Sequence, residues 1–201
     1  MSQHFIDDDS RQGARQPERF NSERASRLDD PARFEYLPLA EVATMLDAPA
    51  NSKILDFGTG TGTYAIELAR LRPDVEVIAL DEQPAMLERL QAKPAAASLP
   101  NLKPILASEI SGVKGQIDRV LALNVLHELG DEALASLRSL LKPGGAALFI
   151  DWNAEVERPA GPPRDHVYSP SEGRARLEQM GFTIELERLF PYHYAFRARA
   201  S

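Results

Sequence analysis

The stretch that decides the fold is Ile54-Leu55-Asp56-Phe57-Gly58-Thr59-Gly60-Thr61-Gly62. An apolar run, "KILDF", ends in a loop with glycine at every second position, and "TYAIELARL" follows with helical periodicity. Strand, glycine-rich turn and helix N-terminus in that order form a nucleotide-type site, because glycines let a ligand approach the main chain. A dinucleotide fingerprint spaces its glycines G-x-G-x-x-G to receive a pyrophosphate. Here the third glycine comes one residue early and Thr63 stands where the fingerprint wants glycine. Asp56, two residues before the first glycine, repels a pyrophosphate and suits an ammonium group.

The pattern outward from the loop is an alternation. "VEVIAL" is a second strand running into Asp81, where a ribose-binding acid is expected. "PAMLERLQA" reads as a helix with proline at its start, "LKPILA" as a third strand and "IDRVLALNVL" as a fourth, apolar almost throughout. "DEALASLRSLL" is a helix closed by "KPGG", and "AALFIDW" is a fifth strand. "SPSEGRARLEQMG" has a serine cap and a glycine stop, and "FTIELERLF" and "YHYAFRARA" follow with too little between them for a crossover. The expected fold is a single α/β domain of Rossmann-like type. Its seven-stranded sheet is mostly parallel and ends in an antiparallel hairpin, with helices on both faces. Residues 1–20, polar and without periodicity, read as a flexible arm, and residues 21–201 as the domain, with two helices before the first strand.

Composition bounds the function. The 201 residues suffice for one core. There is no cysteine, which excludes disulfides and thiolate metal sites and leaves a cytoplasmic enzyme as the expectation. A net charge of −7 without a Lys/Arg block argues against nucleic acid. No apolar run approaches the ~20 residues of a membrane helix, so no membrane insertion is expected. The histidines at 127, 166 and 193 have no metal-ligand spacing, and no metal is expected. Asp56 and Asp81 together ask for a nucleoside with a cationic tail and no phosphates, which describes S-adenosylmethionine.

On these residues the chain resembles class I S-adenosylmethionine-dependent methyltransferases. The run Asp56 to Gly62 is similar to their first motif, Asp81 to their second-strand acid, and "IDRVLALNVLHEL" and "LRSLLKPGGAALFIDW" to their fourth and fifth motifs. It resembles in particular small bacterial members related to quinone-biosynthesis C-methyltransferases and arsenite methyltransferases. Arsenite methylation there depends on cysteine thiolates, which this chain lacks. The resemblance implies cofactor contacts at Asp56, Gly58, Thr59, Gly60, Gly62, Tyr64, Asp81, Glu82, Met86, Ser108, Glu109 and Asn124, with S-adenosylhomocysteine as product. Ser108 or Glu109 stands in for the family's adenine-binding acid, and Glu82 replaces its usual apolar adenine wall.

Ligands of an open parallel sheet lie beyond the carboxyl ends of its strands. That places His127, after the fourth strand, as a general base or substrate contact. His166, in the proline-rich "ERPAGPPRDHVYSP", is a second candidate, and Trp152 is a pocket wall. Tyr192 and Tyr194 are expected on one face of the last strand and His193 on the other. The expected partner is a small-molecule acceptor, with the protein a monomer or homodimer. A nicotinamide-dependent oxidoreductase and a non-catalytic cofactor-binding scaffold are the alternatives.

Overall fold

The computed structural model describes residues 22–200. The arm expected at 1–20 lies outside them. Seven strands form one sheet: β1 (Lys53–Phe57), β2 (Glu76–Asp81), β3 (Leu102–Leu106), β4 (Ile117–Leu123), β5 (Leu141–Trp152), β6 (Phe182–Leu189) and β7 (His193–Ala200). Their spatial order is β3-β2-β1-β4-β5-β7-β6. The first five run parallel, and β7 pairs antiparallel with both β5 and β6. The expected fold is therefore the observed one.

Successive strand residues alternate faces, so the central strands feed two cores. Ile54, Val77, Leu121 and Ile150 meet Met45, Ile66, Leu68 and Leu90, which come from helices α2 (Leu39–Leu46), α3 (Thr63–Leu71) and α4 (Pro84–Gln91). Their neighbours Leu55, Ile78, Val120 and Phe149 meet Leu134, Leu137 and Leu177 on the other face. Those three leucines come from α6 (Asp131–Leu140) and α7 (Pro170–Gln179). The short α5 (Pro94–Ala97) lies between α4 and β3. Ser169 caps α7 reciprocally: its hydroxyl accepts from the Glu172 amide at 3.2 Å, and the Glu172 carboxylate accepts from the Ser169 amide at 2.7 Å.

Three details differ from the sequence reading. The segment before β1 contains three helical pieces: a 3-10 helix (Ser22–Asp29), α1 (Arg33–Tyr36) and α2. Pro31 and Pro38 separate them, since proline removes an amide donor. "KPGG" belongs to β5 rather than to a helix end. Ile117 pairs with Leu141 but Arg119 with Ala146, so Lys142–Gly145 bulge out of the ladder, with Gly144 at φ +79°. Tyr192 precedes β7. Its ring lies with Tyr36 and His193 near the end of β5, whereas Tyr194 packs on Phe196.

Among the described residues no helix is long and apolar enough to cross a membrane.

Candidate active site

The glycine loop turns sharply at the carboxyl end of β1. Gly58, Gly60 and Gly62 all have positive φ, between +57° and +76°. A Cβ on Gly58 would lie 2.7 Å from Val125 Cγ1, and one on Gly62 would lie 2.2 Å from Leu90 Cδ1. The loop is pinned to β2. Gly58 and Thr59 amides both donate to the Leu80 carbonyl at 2.9 Å, and the Gly60 amide donates to Asp81 Oδ2 at 2.8 Å.

Two buried carboxylates flank this loop. Burial pushes the Asp56 carboxyl up to about 6, aided by the charge of Asp81. A 2.6 Å hydrogen bond from Thr59 and the charge of Arg33 only partly oppose that rise. Asp81 is also raised by burial, against hydrogen bonds from the Gln83 and Gly60 amides and with the charge of Glu82 adding to the rise. Buried carboxylates of this kind favour a cationic or hydroxyl-bearing ligand over an anionic one. A glycine cradle between two buried acids suits a nucleoside that carries hydroxyls and a positive charge and no phosphates.

The segment before β1 lies against the loop, which the sequence did not reveal. Asp29 Oδ1 accepts from Thr61 at 2.6 Å, Thr63 at 3.0 Å and Lys93 at 2.5 Å. Leu28 reaches Gly60, where a Cβ would lie 2.8 Å from its Cδ1. Arg33 donates to the Leu28 carbonyl at 2.8 Å and lies 5.3 Å from the Tyr64 ring centroid. The Tyr64 hydroxyl is used to hold the Leu37 carbonyl at 2.8 Å, so this expected cofactor contact also anchors the covering segment.

Of the other expected cofactor residues, Met86 is buried in α4 and Glu82 is exposed after β2. Ser108 and Glu109 are exposed after β3, and the Glu109 carboxylate folds back onto the Leu106 amide at 2.9 Å. Asn124 sits at the end of β4 with φ +59°, donates its amide to the Ile150 carbonyl at 2.7 Å, and buries Oδ1 without a hydrogen-bond partner among the described residues.

His127 is held by Asp151, the penultimate residue of β5. Asp151 accepts the His127 amide at 2.8 Å, ring Nδ1 at 2.8 Å and the Trp152 amide at 2.7 Å. A carboxylate only accepts, so Nδ1 carries the hydrogen; Nε2 lies 3.6 Å from Glu128. Burial disfavours the charged ring, but Asp151 and Glu128 outweigh it and raise its pKa above 6.5. His166, in the 3-10 turn Arg164–His166, is exposed and stands apart from this pair in the sequence and in burial.

Trp152, expected as a pocket wall, is buried, and its ring lies against His193. The paired register of β5 and β7 sets the two side chains on one face, with ring centroids 4.0 Å apart. Tyr36 stacks on His193 from the covering segment at 5.7 Å, with 7° between planes. The proline-rich loop closes the far side of Trp152: a Cβ on Gly161 would lie 3.0 Å from the indole, and Arg158 lies 5.6 Å from its centroid. The sequence put His193 on the strand face opposite Tyr192 and Tyr194 and gave it no role, because its ring partners come from cross-strand register and from the segment before β1.

This fold, with a glycine cradle at its switch point and acids near the ends of β1 and β2, is the class I methyltransferase fold. Residues 54–145 match the methyltransferase domain family. A solved S-adenosylmethionine-dependent methyltransferase from Aquifex aeolicus superposes with a TM-score of 0.83 at 26% identity, covering 91% of this chain and 100% of that one. Trans-aconitate 2-methyltransferase of Methylobacterium radiotolerans is 37% identical over 54% of this chain and 41% of its own. A 16S rRNA (adenine(1408)-N(1))-methyltransferase of Streptoalloteichus tenebrarius is 32% identical over 54% of this chain and 56% of its own. The chain spans less than half the length of the first curated relatives it matches. Residues 54–145 thus carry a methyltransferase domain, in a chain whose fold is that of class I S-adenosylmethionine-dependent methyltransferases, whose cofactor is S-adenosylmethionine.

Proposed function

We propose that the protein transfers the methyl group of S-adenosylmethionine to a small-molecule acceptor. The observation that carries this reading is the pair of buried acids, Asp56 and Asp81, on either side of a cradle that only glycine fits. In this reading Asp56 takes the cofactor's ammonium, Asp81 its ribose hydroxyls, and Arg33, beside Asp56, its carboxylate. When bound, the cofactor supplies an already activated methyl on a sulfonium. The protein's task is then to align the acceptor and exclude water.

The roof supports a small acceptor. Leu28, Asp29, Arg33 and Tyr36 border the glycine loop and His193, Arg158 and Gly161 border Trp152, and the net charge of −7 disfavours a polyanion. His127 is the proton carrier of the reading. Asp151 fixes its tautomer and stabilises the ring once protonated, leaving Nε2 to take a proton from the acceptor. His166, exposed on the proline-rich loop, is assigned an acceptor contact at the rim. We also infer that it acts in the cytoplasm as a monomer or homodimer, a reading supported for the compartment by the lack of cysteine.

Calorimetry with S-adenosylhomocysteine tests the cofactor half: Asp81→Ala weakens binding at least tenfold, and unchanged affinity overturns it. Methyl-labelled S-adenosylmethionine added with separated metabolite, RNA and protein fractions tests the acceptor half. Label is expected in the metabolites, and label confined to RNA or protein overturns that half.

A further inference from the structure

His193 is fully buried at the start of β7, yet neither ring nitrogen meets a hydrogen-bond partner among the described residues. Buried polar groups are normally paired, and leaving one unpaired is costly enough to need a reason. The ring is also kept neutral. Burial, with the charges of Arg33 and Arg158, outweighs Asp151 and pulls its pKa down to about 3. A neutral imidazole offers one N–H donor and one nitrogen acceptor.

Aromatic rings gather at this imidazole. Trp152 lies at 4.0 Å, and Tyr36 lies parallel at 5.7 Å with Tyr192 at its edge, 5.5 Å away. The two nearby guanidiniums are already engaged, Arg33 with the Leu28 carbonyl and the Tyr36 hydroxyl and Arg158 with the Asn153 and Pro162 carbonyls. They are therefore poorly placed to hold a second anion. Tyr36 is the member that comes from outside the sheet, and its hydroxyl pairs with Arg33. It is half-buried and ends a four-residue helix that buries no residue, between Pro31 and Pro38.

Resting on the methyltransferase reading above, we propose that Trp152, Tyr192 and His193 form the acceptor subsite, that Tyr36 fills it in the ligand-free protein, and that it binds an uncharged flat ring bearing a hydroxyl group. The ring of the acceptor stacks against His193 where the Tyr36 phenol now lies, and its hydroxyl pairs with a His193 nitrogen. Tyr36, a phenol in the same plane, shows the shape and polarity that the slot accepts. A flat face is selected by the aromatic walls, a hydroxyl by the unpaired imidazole, and neutrality by burial.

The test compares catechol with trans-cyclohexane-1,2-diol, which match in hydroxyls and differ in flatness, on protein saturated with S-adenosylhomocysteine. Calorimetry gives the affinities, and Trp152, the chain's single tryptophan, reports binding by fluorescence. Catechol is expected to bind at least tenfold more tightly than the diol and to quench Trp152. His193→Phe, which keeps the volume and the aromatic packing, is expected to weaken catechol at least tenfold without changing S-adenosylhomocysteine affinity. His193→Asn restores part of that loss, and Tyr36→Ala leaves catechol binding at least as tight as in the parent. Equal affinity for the two probes, or catechol binding unaffected in His193→Phe, overturns the subsite. Failure to bind S-adenosylhomocysteine at all overturns the methyltransferase reading instead, so the two failures are distinct.

Discussion

The carboxylate of Asp151 receives both the backbone amide and ring Nδ1 of His127, each at 2.8 Å. Asp151 is fully buried, so removing the ring leaves a buried charge with one partner fewer. His127→Ala is expected to cost about 3–5 kcal/mol of stability, the range for breaking a buried pair. The folded pKa of His127 is raised, so its charge adds stability that is fully present below 6.5 and is lost as pH rises through the folded value. Urea melts at about pH 6 and pH 9 check this, since the gap between parent and variant is widest at the lower pH. A gap that grows with pH contradicts the pairing.

Asp56 makes the opposite kind of prediction. Its folded pKa of about 6 exceeds the ordinary 3.8, so the ligand-free protein binds more protons than the unfolded chain between those values. Stability from this group is present below 3.8 and falls as pH rises towards about 6. Ligand binding runs the other way, because an ammonium needs the ionised acid. The Kd for S-adenosylhomocysteine is expected to rise up to about tenfold per pH unit below that midpoint. Asp56→Asn removes this pH dependence and weakens binding at every pH. Calorimetry across acidic to neutral buffers reads both effects, and a Kd independent of pH in the parent counts against Asp56 as the ammonium partner.

What the sequence disclosed follows from how local each feature is. Asp56, the three glycines and Asp81 lie at the ends of two adjacent strands, and spacing alone brings them together. The parallel sheet and its final hairpin were equally legible, because apolar runs and connection lengths fix them. The His127–Asp151 pair was not, because it needs the β4–β5 ladder to close a gap of 24 residues. His193 needed more still. Its place beside Trp152 comes from antiparallel register, and its third neighbour, Tyr36, arrives from a helix before β1. Asp29 and Arg33 sat in a segment with helical periodicity but no local sign of what its polar face would grip.

The glycines differ in what they protect. Gly62 and Gly144 share a positive φ, of +76° and +79°, but a Cβ on Gly144 meets nothing within 4 Å while one on Gly62 runs into Leu90. Gly144→Ala carries only the backbone cost, about 1–2 kcal/mol. Gly62→Ala adds overpacking of about 1–3 kcal/mol, for a total of about 2–5 kcal/mol. Denaturant midpoints of the two variants check the difference. Equal losses mean that Leu90 moves aside without cost.

The grip of Asp29 on the glycine loop is testable without any assay of methyl transfer. Its carboxylate joins Thr61, Thr63 and Lys93, and its pKa falls below the ordinary value because these hydrogen bonds and the Lys93 charge outweigh burial. The pair with Lys93 is partly exposed, so its worth is discounted to about 1 kcal/mol. That amount changes the open population of the segment about fivefold. Arg27, exposed in the adjoining 3-10 helix, is a trypsin site that reports on opening. Asp29→Ala is expected to speed cleavage after Arg27 about fivefold under conditions where reclosing outpaces cutting. S-adenosylhomocysteine slows that cleavage in the parent if the segment closes over the cofactor, because ligand binding then draws on the closed population. Identical cleavage rates in parent and variant mean that the segment is held by Leu28 and Arg33 rather than by the acid.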